Sequence, residues 1–178
     1  GPRFIEATRL APYPPPRPEG VPRGTEVSVV LDLMIHDLDI ILHLVSSPVK
    51  DLHAVGVPVL SPTEDIANVR LVFESGCVAN VTARRISQGG MRKIRVFQED
   101  AYVSLDYMAQ TGQVHSRTDK GIVMSDVPIE RGEPLALELA AFARCVRESH
   151  KPLVTGRHGS DALRLAVEIS EMIRTNPS

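Results

Sequence analysis

Apolar positions are densest in Val29–Val45, which reads VVLDLMIHDLDIILHLV. The run predicts a core helix. Ser46-Ser47-Pro48 predicts its end, because a proline disfavours helical geometry at the residue before it. Five polar residues interrupt the run: Asp32, His36, Asp37, Asp39 and His43. At about 100° per residue, Asp32, His36, Asp39 and His43 fall near about 0°, 40°, 340° and 20°, a single narrow polar stripe. Asp37 sits about 100° off that stripe, where it can reach solvent. Polar groups buried without partners cost a few kcal/mol each, so water, a substrate or other polar groups should face the stripe.

The rest of the chain alternates with a shorter period. Arg3–Leu10 predicts a strand. Ala11–Gly24 holds six prolines and two glycines and predicts a loop. Val49–Leu60 predicts a strand that Gly56 and Pro58 push toward an edge or a bulge. Ile66–Glu74, the turn Ser75-Gly76 and Cys77–Ile86 predict a β-hairpin. Met91–Phe97, Ala101–Leu105, Gln113–Arg117 and Ile122–Val127 predict four more short strands in an antiparallel meander. Two helices close the chain. Pro134 opens the first, with Leu135, Leu139, Phe142 and Val146 as its apolar stripe. Ser160 caps the second, with Leu163, Ala166, Val167, Ile169, Ser170 and Ile173 facing inward. The layout is α+β: an open, mostly antiparallel sheet with helices on one face. Apolar residues fall on both alternating sets in places (Val69, Leu71 and Phe73 against Val72). A second subunit or domain is therefore expected on the other sheet face.

Composition narrows the function. The chain has 178 residues, 43% of them hydrophobic, enough for one ordinary domain or a large piece of a two-domain protein. A net charge of −2 gives no electrostatic footprint for nucleic acid. No run reaches the length a membrane helix needs, and no signal peptide is visible. Cys77 and Cys145 lie apart and read as free thiols, which fits a reducing cytoplasm.

The polar stripe admits three kinds of chemistry. It can be a satisfied polar core within an oligomerisation or scaffold domain. Asp32, His36, Asp39 and His43 can supply metal ligands, and Asp32, His36 and Asp39 can serve a metal-dependent hydrolase or lyase, although the His-Glu-x-x-His signature is missing. Asp32 and His36, one turn apart, can also act as an acid–base pair beside a substrate cleft, since imidazole titrates near working pH. Arg17 and Arg23 on the proline-rich loop are candidates for holding an anionic group.

The motif Asp32-x-x-x-His36-Asp37-x-Asp39 resembles a helix of the Gfo/Idh/MocA oxidoreductases, which include glucose–fructose oxidoreductase and inositol dehydrogenase. Glu64-Asp65 to Phe73, then Gly76 to Ser87, resembles that family's hairpin. Glu138-Leu139-x-x-Phe142, Lys151-Pro152-Leu-Val-x-Gly156 and Asp161-Ala162-Leu163 resemble its closing helices. The resemblance spans Arg3 to Arg174 and implies a sheet domain like the C-terminal domain of glyceraldehyde-3-phosphate dehydrogenase. It implies that residues 3–175 form a substrate-binding and oligomerisation domain, with the N-terminal Rossmann domain absent from this chain. NAD or NADP would then be bound mainly by that missing domain, since no Gly-x-Gly-x-x-Gly and no Glu-Lys-Pro motif occur here. By the same resemblance His36 and Asp32 are catalytic, with His36 accepting a hydroxyl proton. Asp39 and His43 continue the stripe as supporting groups, and Arg9 and Arg23 bind substrate. Arg84 and Arg85 read equally as solvated or interface charges and as substrate contacts. A fragment without its Rossmann domain is expected to be inactive alone and to form a homodimer or homotetramer through the sheet face. The wording around His36, after a Pro/Arg-rich loop, resembles bacterial enzymes that act on nucleotide sugars.

Overall fold

A computed structural model describes residues 1–18 and 22–175. The first strand, β1 (Phe4–Leu10), comes to lie inside the sheet. Its burial alternates strictly, with Ile5, Ala7 and Arg9 inward, so one face must be covered. The remaining strands are β2 (Val49–Val57), β3 (Ile66–Phe73), β4 (Val78–Arg84), β5 (Met91–Phe97), β6 (Ala101–Asp106), β7 (Thr111–Thr118) and β8 (Gly121–Asp126). They form one eight-stranded sheet in the order β2-β3-β4-β1-β5-β6-β7-β8. β1 joins two meanders, β2–β4 and β5–β8. It runs parallel to β4 and antiparallel to β5, and every other neighbouring pair is antiparallel. The α+β class and the mostly antiparallel sheet are therefore as the sequence pattern predicts. β2 lies at an edge, as Gly56 and Pro58 suggest, while its one register slip falls between Val49 and Asp51, at the other end of the strand from Gly56. The loop expected over Ala11–Gly24 is seen on either side of residues 19–21, which fall outside the described residues.

The helices are α1 (Ile35–Val45), α2 (Pro134–Glu148) and α3 (Gly156–Thr175). α1 and α3 pack together on the sheet. Met34, Leu38 and Ile41 meet Leu165, Ala166, Ile169 and Ile173 over Ile5, Val69, Leu71, Phe73, Val81 and Ile94. Four helix expectations need correction. The run from Val29 does not begin as an α-helix: Val30–Met34 forms a π-helical turn, with Ile35 N–H donating to Val30 O. Such wide turns shift the side-chain register and recur at functional sites. α3 begins at Gly156, not at Ser160, because Thr155 Oγ1 accepts from the His158 N–H (3.5 Å) while His158 Nδ1 accepts from the Thr155 N–H (3.4 Å). That reciprocal cap overrides two glycines in the first turn. On α3 the inward set is Ala162, Leu165, Ala166, Ile169, Ser170 and Ile173; Leu163 and Val167 are exposed. Finally, the apolar stripe of α2 covers nothing among the described residues, with Leu135, Leu139, Phe142 and Val146 all about 60% exposed. Pro134 does open that helix, and the Glu133 carboxylate caps it by accepting from Leu135 and Ala136 N–H.

Candidate functional site

The helix start is fixed by a buried ion pair. Asp65 precedes β3 and Arg85 follows β4, and both are almost wholly excluded from solvent. Arg85 uses all of its donors. Nε donates to Asp65 (2.8 Å), Nη1 to the carbonyls of Gly24 and Val27 (2.6 and 2.8 Å), and Nη2 to Ser61 and Thr63 (2.9 and 2.7 Å). It is neither the solvated or interface charge nor the substrate contact that the sequence suggests; it ties the proline-rich loop to the sheet. Arg84 beside it is exposed. Burial pushes the Asp65 carboxyl up. Hydrogen bonds from Ser61, Arg85 and the backbone of Leu60 and Val59 outweigh that and hold it well below the usual carboxylate range.

The tethered loop walls a cleft of about 830 Å³ whose lining includes Arg17, Arg23, Gly24, Glu26 and Asp32. Gly24 adopts a left-handed φ of 87°, and a Cβ there would stand 3.0 Å from Asp32 Oδ2. Only glycine suits both demands. The Glu26 carboxylate accepts from the Gly24 N–H (2.7 Å). Its pKa is lowered by the backbone N–H groups of Glu26 and Gly24 and, further out, by the charges of Arg17 and Arg23. Three residues singled out from the sequence, Arg17, Arg23 and Asp32, are thus brought together.

His36 stands nearby on the first turn of α1, with its ring exposed. Its surroundings are set by Asp37, which the wheel placed toward solvent. Asp37 is instead 1% exposed, because it takes Arg9 in a two-bond ion pair (Nε to Oδ2, 2.7 Å; Nη2 to Oδ1, 3.1 Å). Arg9 is 8% exposed and offers a substrate little surface. Partial desolvation and then the Arg9 charge lower the His36 pKa from 6.5; Arg92 lowers it too, while Asp37 and Asp32 pull the other way. Asp32 reaches His36 through its charge, and no hydrogen bond joins the two. Tyr107, just after β6, is half-buried beside the same pair. Burial and then the Asp37 charge push its phenol up to about 12, so it is a lasting O–H donor. Tyr107 and Arg92 were not foreseen as site residues. Asp39 is half-buried, and His43 meets His158 edge-on at 5.8 Å, away from the cleft. Among the described residues, no three His, Cys, Asp or Glu side chains converge as metal ligands would.

The arrangement offers an imidazole biased toward its neutral form, a carboxylate four residues before it, and cationic side chains on the loop. A model of the GFO/IDH/MocA C-terminal domain matches residues 2–104. UDP-N-acetylglucosamine 3-dehydrogenase of Acidithiobacillus ferrooxidans is 33% identical over 180 residues, covering 94% of this chain and 55% of that protein. A solved structure of that enzyme superposes with a TM-score of 0.88 at 29% identity, over 98% of this chain and 55% of the other. The fold alone recurs in levoglucosan dehydrogenase in complex with NADH and L-sorbose, with TM-score 0.81, 14% identity, and 97% of this chain against 56% of that one. The chain spans about half the length of the curated relatives it matches.

Proposed function

Because this chain belongs to the GFO/IDH/MocA C-terminal domain family, we propose that it is the substrate-binding and oligomerisation half of an NAD(P)-dependent oxidoreductase acting on a sugar or nucleotide-sugar hydroxyl. The observation that carries the reading is His36, an exposed imidazole biased toward its neutral form and within reach of the charge of Asp32, which lines a cleft with Arg17 and Arg23. His36 accepts the hydroxyl proton. Asp32 steadies the imidazolium that results, or the hydroxyl itself. Arg23, with Arg17, meets a phosphate or diphosphate at the loop. The likeness to a UDP-N-acetylglucosamine dehydrogenase supports a nucleotide sugar as the substrate class.

A nicotinamide cofactor supplies the hydride acceptor in such reactions. The residues described here do not fit one: β1 and β4 are the only parallel pair among them, and no glycine-rich turn opens a helix beside a strand. A Rossmann domain outside this chain is the proposed holder. On the sheet face away from the helices, Phe4, Phe97, Tyr102 and His115 stack across four strands. That row supports a second subunit on this face. No described helix is long and apolar enough to cross a membrane.

The test uses the two-domain protein with NAD⁺ or NADP⁺ and a panel of UDP-sugars and free polyols, following reduction of the nicotinamide by its absorbance. His36→Ala is expected to lower turnover by about 10²–10⁴, the usual worth of a general base. Turnover that survives this change in a folded variant removes His36 from the mechanism.

A further inference from the structure

Arg9 and Arg92 are cross-strand partners on the helix-covered face of the sheet. Like charges directly opposite one another in a ladder are destabilising. The protein answers with one carboxylate. Asp37 reaches down from α1 and takes Arg9 through two hydrogen bonds, leaving Arg92 exposed at the surface. His36 is the adjacent residue, close enough to feel both the neutralised cation and the exposed one. The charged groups that face it are Arg9 from β1, Arg92 from β5, and Asp37 and Asp32 from its own helical run. Tyr107 closes the patch beside the ion pair, and its backbone N–H donates to Arg92 O (2.8 Å).

We propose that Arg9 and Asp37 are positioning residues for His36, a buried pair that clamps the turn carrying the imidazole to the central strand and sets the charge beneath it. The consequence for catalysis rests on the reading of His36 as proton acceptor; the clamp itself does not. A buried pair of this kind contributes less to net stability than its distances suggest, because two charges must be desolvated. Its stronger effect is on geometry and local field. Because Arg9 disfavours the charged imidazole and Asp37 favours it, removing the two should move His36 in opposite directions.

The experiment follows the histidine ring signals of this chain by NMR across pH, with His36 assigned through His36→Gln. Asp37→Asn keeps an acceptor for Arg9 and removes the negative charge, so the His36 midpoint should fall. Arg9→Gln with Asp37→Asn replaces the ion pair by a neutral amide pair, so the midpoint should rise toward its ordinary 6.5. Arg9→Lys keeps the cation but cannot make both hydrogen bonds, so its midpoint should lie between the native value and that of the neutral pair. Midpoints that stay put in a folded protein, or that move the same way in both the first and second variants, overturn the clamp. If the neutral pair fails to fold, Asp37→Asn and Arg9→Lys decide between them. In the two-domain protein the neutral pair should cost up to about 10²-fold in kcat with little change in KM, as a misplaced catalytic group does. A midpoint that moves as expected beside an unchanged kcat would keep the clamp and discard His36 as the base.

Discussion

At the scale of single residues, two arginines have roles set by what is buried around them. Arg85 makes five hydrogen bonds in a site almost free of solvent, and its loss strands the Asp65 carboxylate. Arg85→Met is expected to destabilise the chain by about 3–5 kcal/mol in urea unfolding. Asp65 adds a pH dependence whose sign follows from its lowered pKa. Below the unfolded value near 3.8 the unfolded chain binds the extra proton, so stability falls as pH drops through that range. Asp65→Asn should flatten that part of the profile. His36 gives the opposite kind of readout. As a base it must be unprotonated, so in the two-domain enzyme kcat/KM should hold down to below pH 6.5 and fall on the acid side. An acid limb centred above that value would contradict the environment described for the ring. His36 and the acidic residues around it were legible in the sequence as a motif, because residue type and order need no knowledge of the rest of the chain. The burial of Asp37 was not read, since its partner lies on another element. A signal did exist. Arg9 shares the inward set of β1 with Ile5 and Ala7, and an inward arginine needs a buried carboxylate.

At the scale of elements, strands were legible to within about three residues at their ends, and the starts of α1 and α3 were not. Met91–Phe97 has the bounds its pattern predicts, because turn residues mark both ends. The π-helical turn at Val30–Met34 was hidden, since a wheel drawn at one fixed angle cannot show a change of pitch. Asp32 therefore shares a cleft with the loop arginines more than a stripe with His36. The early start of α3 was missed because Gly156 and Gly159 argue against helix, and the Thr155–His158 cap that offsets them is a matter of geometry. Close packing between elements is equally invisible in composition. A Cβ on Gly56 would lie 2.8 Å from Ile173 Cγ2 and 2.9 Å from Glu64 Cγ, where β2 meets α3. Gly56→Ala should cost about 1–3 kcal/mol by overpacking. A thermal midpoint equal to that of the parent chain would show that the contact relaxes freely.

At the scale of the whole molecule, the class was legible and the strand order was not, because alternation along a strand says nothing about its neighbours. The free stripe of α2 belongs to this scale as well. α2 is held at its start, where Gln110 exchanges two hydrogen bonds with Gly132 (2.7 and 3.0 Å), while its apolar residues stay exposed. Little burial means low local stability. Native-state hydrogen exchange should therefore find α2 amides far less protected than those of α1 and α3, and equal protection would mean that the stripe has found a cover. The position of β1 carries a different consequence, in time. Each meander can assemble from near neighbours in the chain, one around the turn at Ser75-Gly76 and the other from β5 to β8. β1 must instead match Phe4 to Val78 on one side and to Phe97 on the other. Closing such long loops is entropically slow. The two meanders should form first and remain separate, and the early strand should enter last, turning two small sheets into one at a single late step.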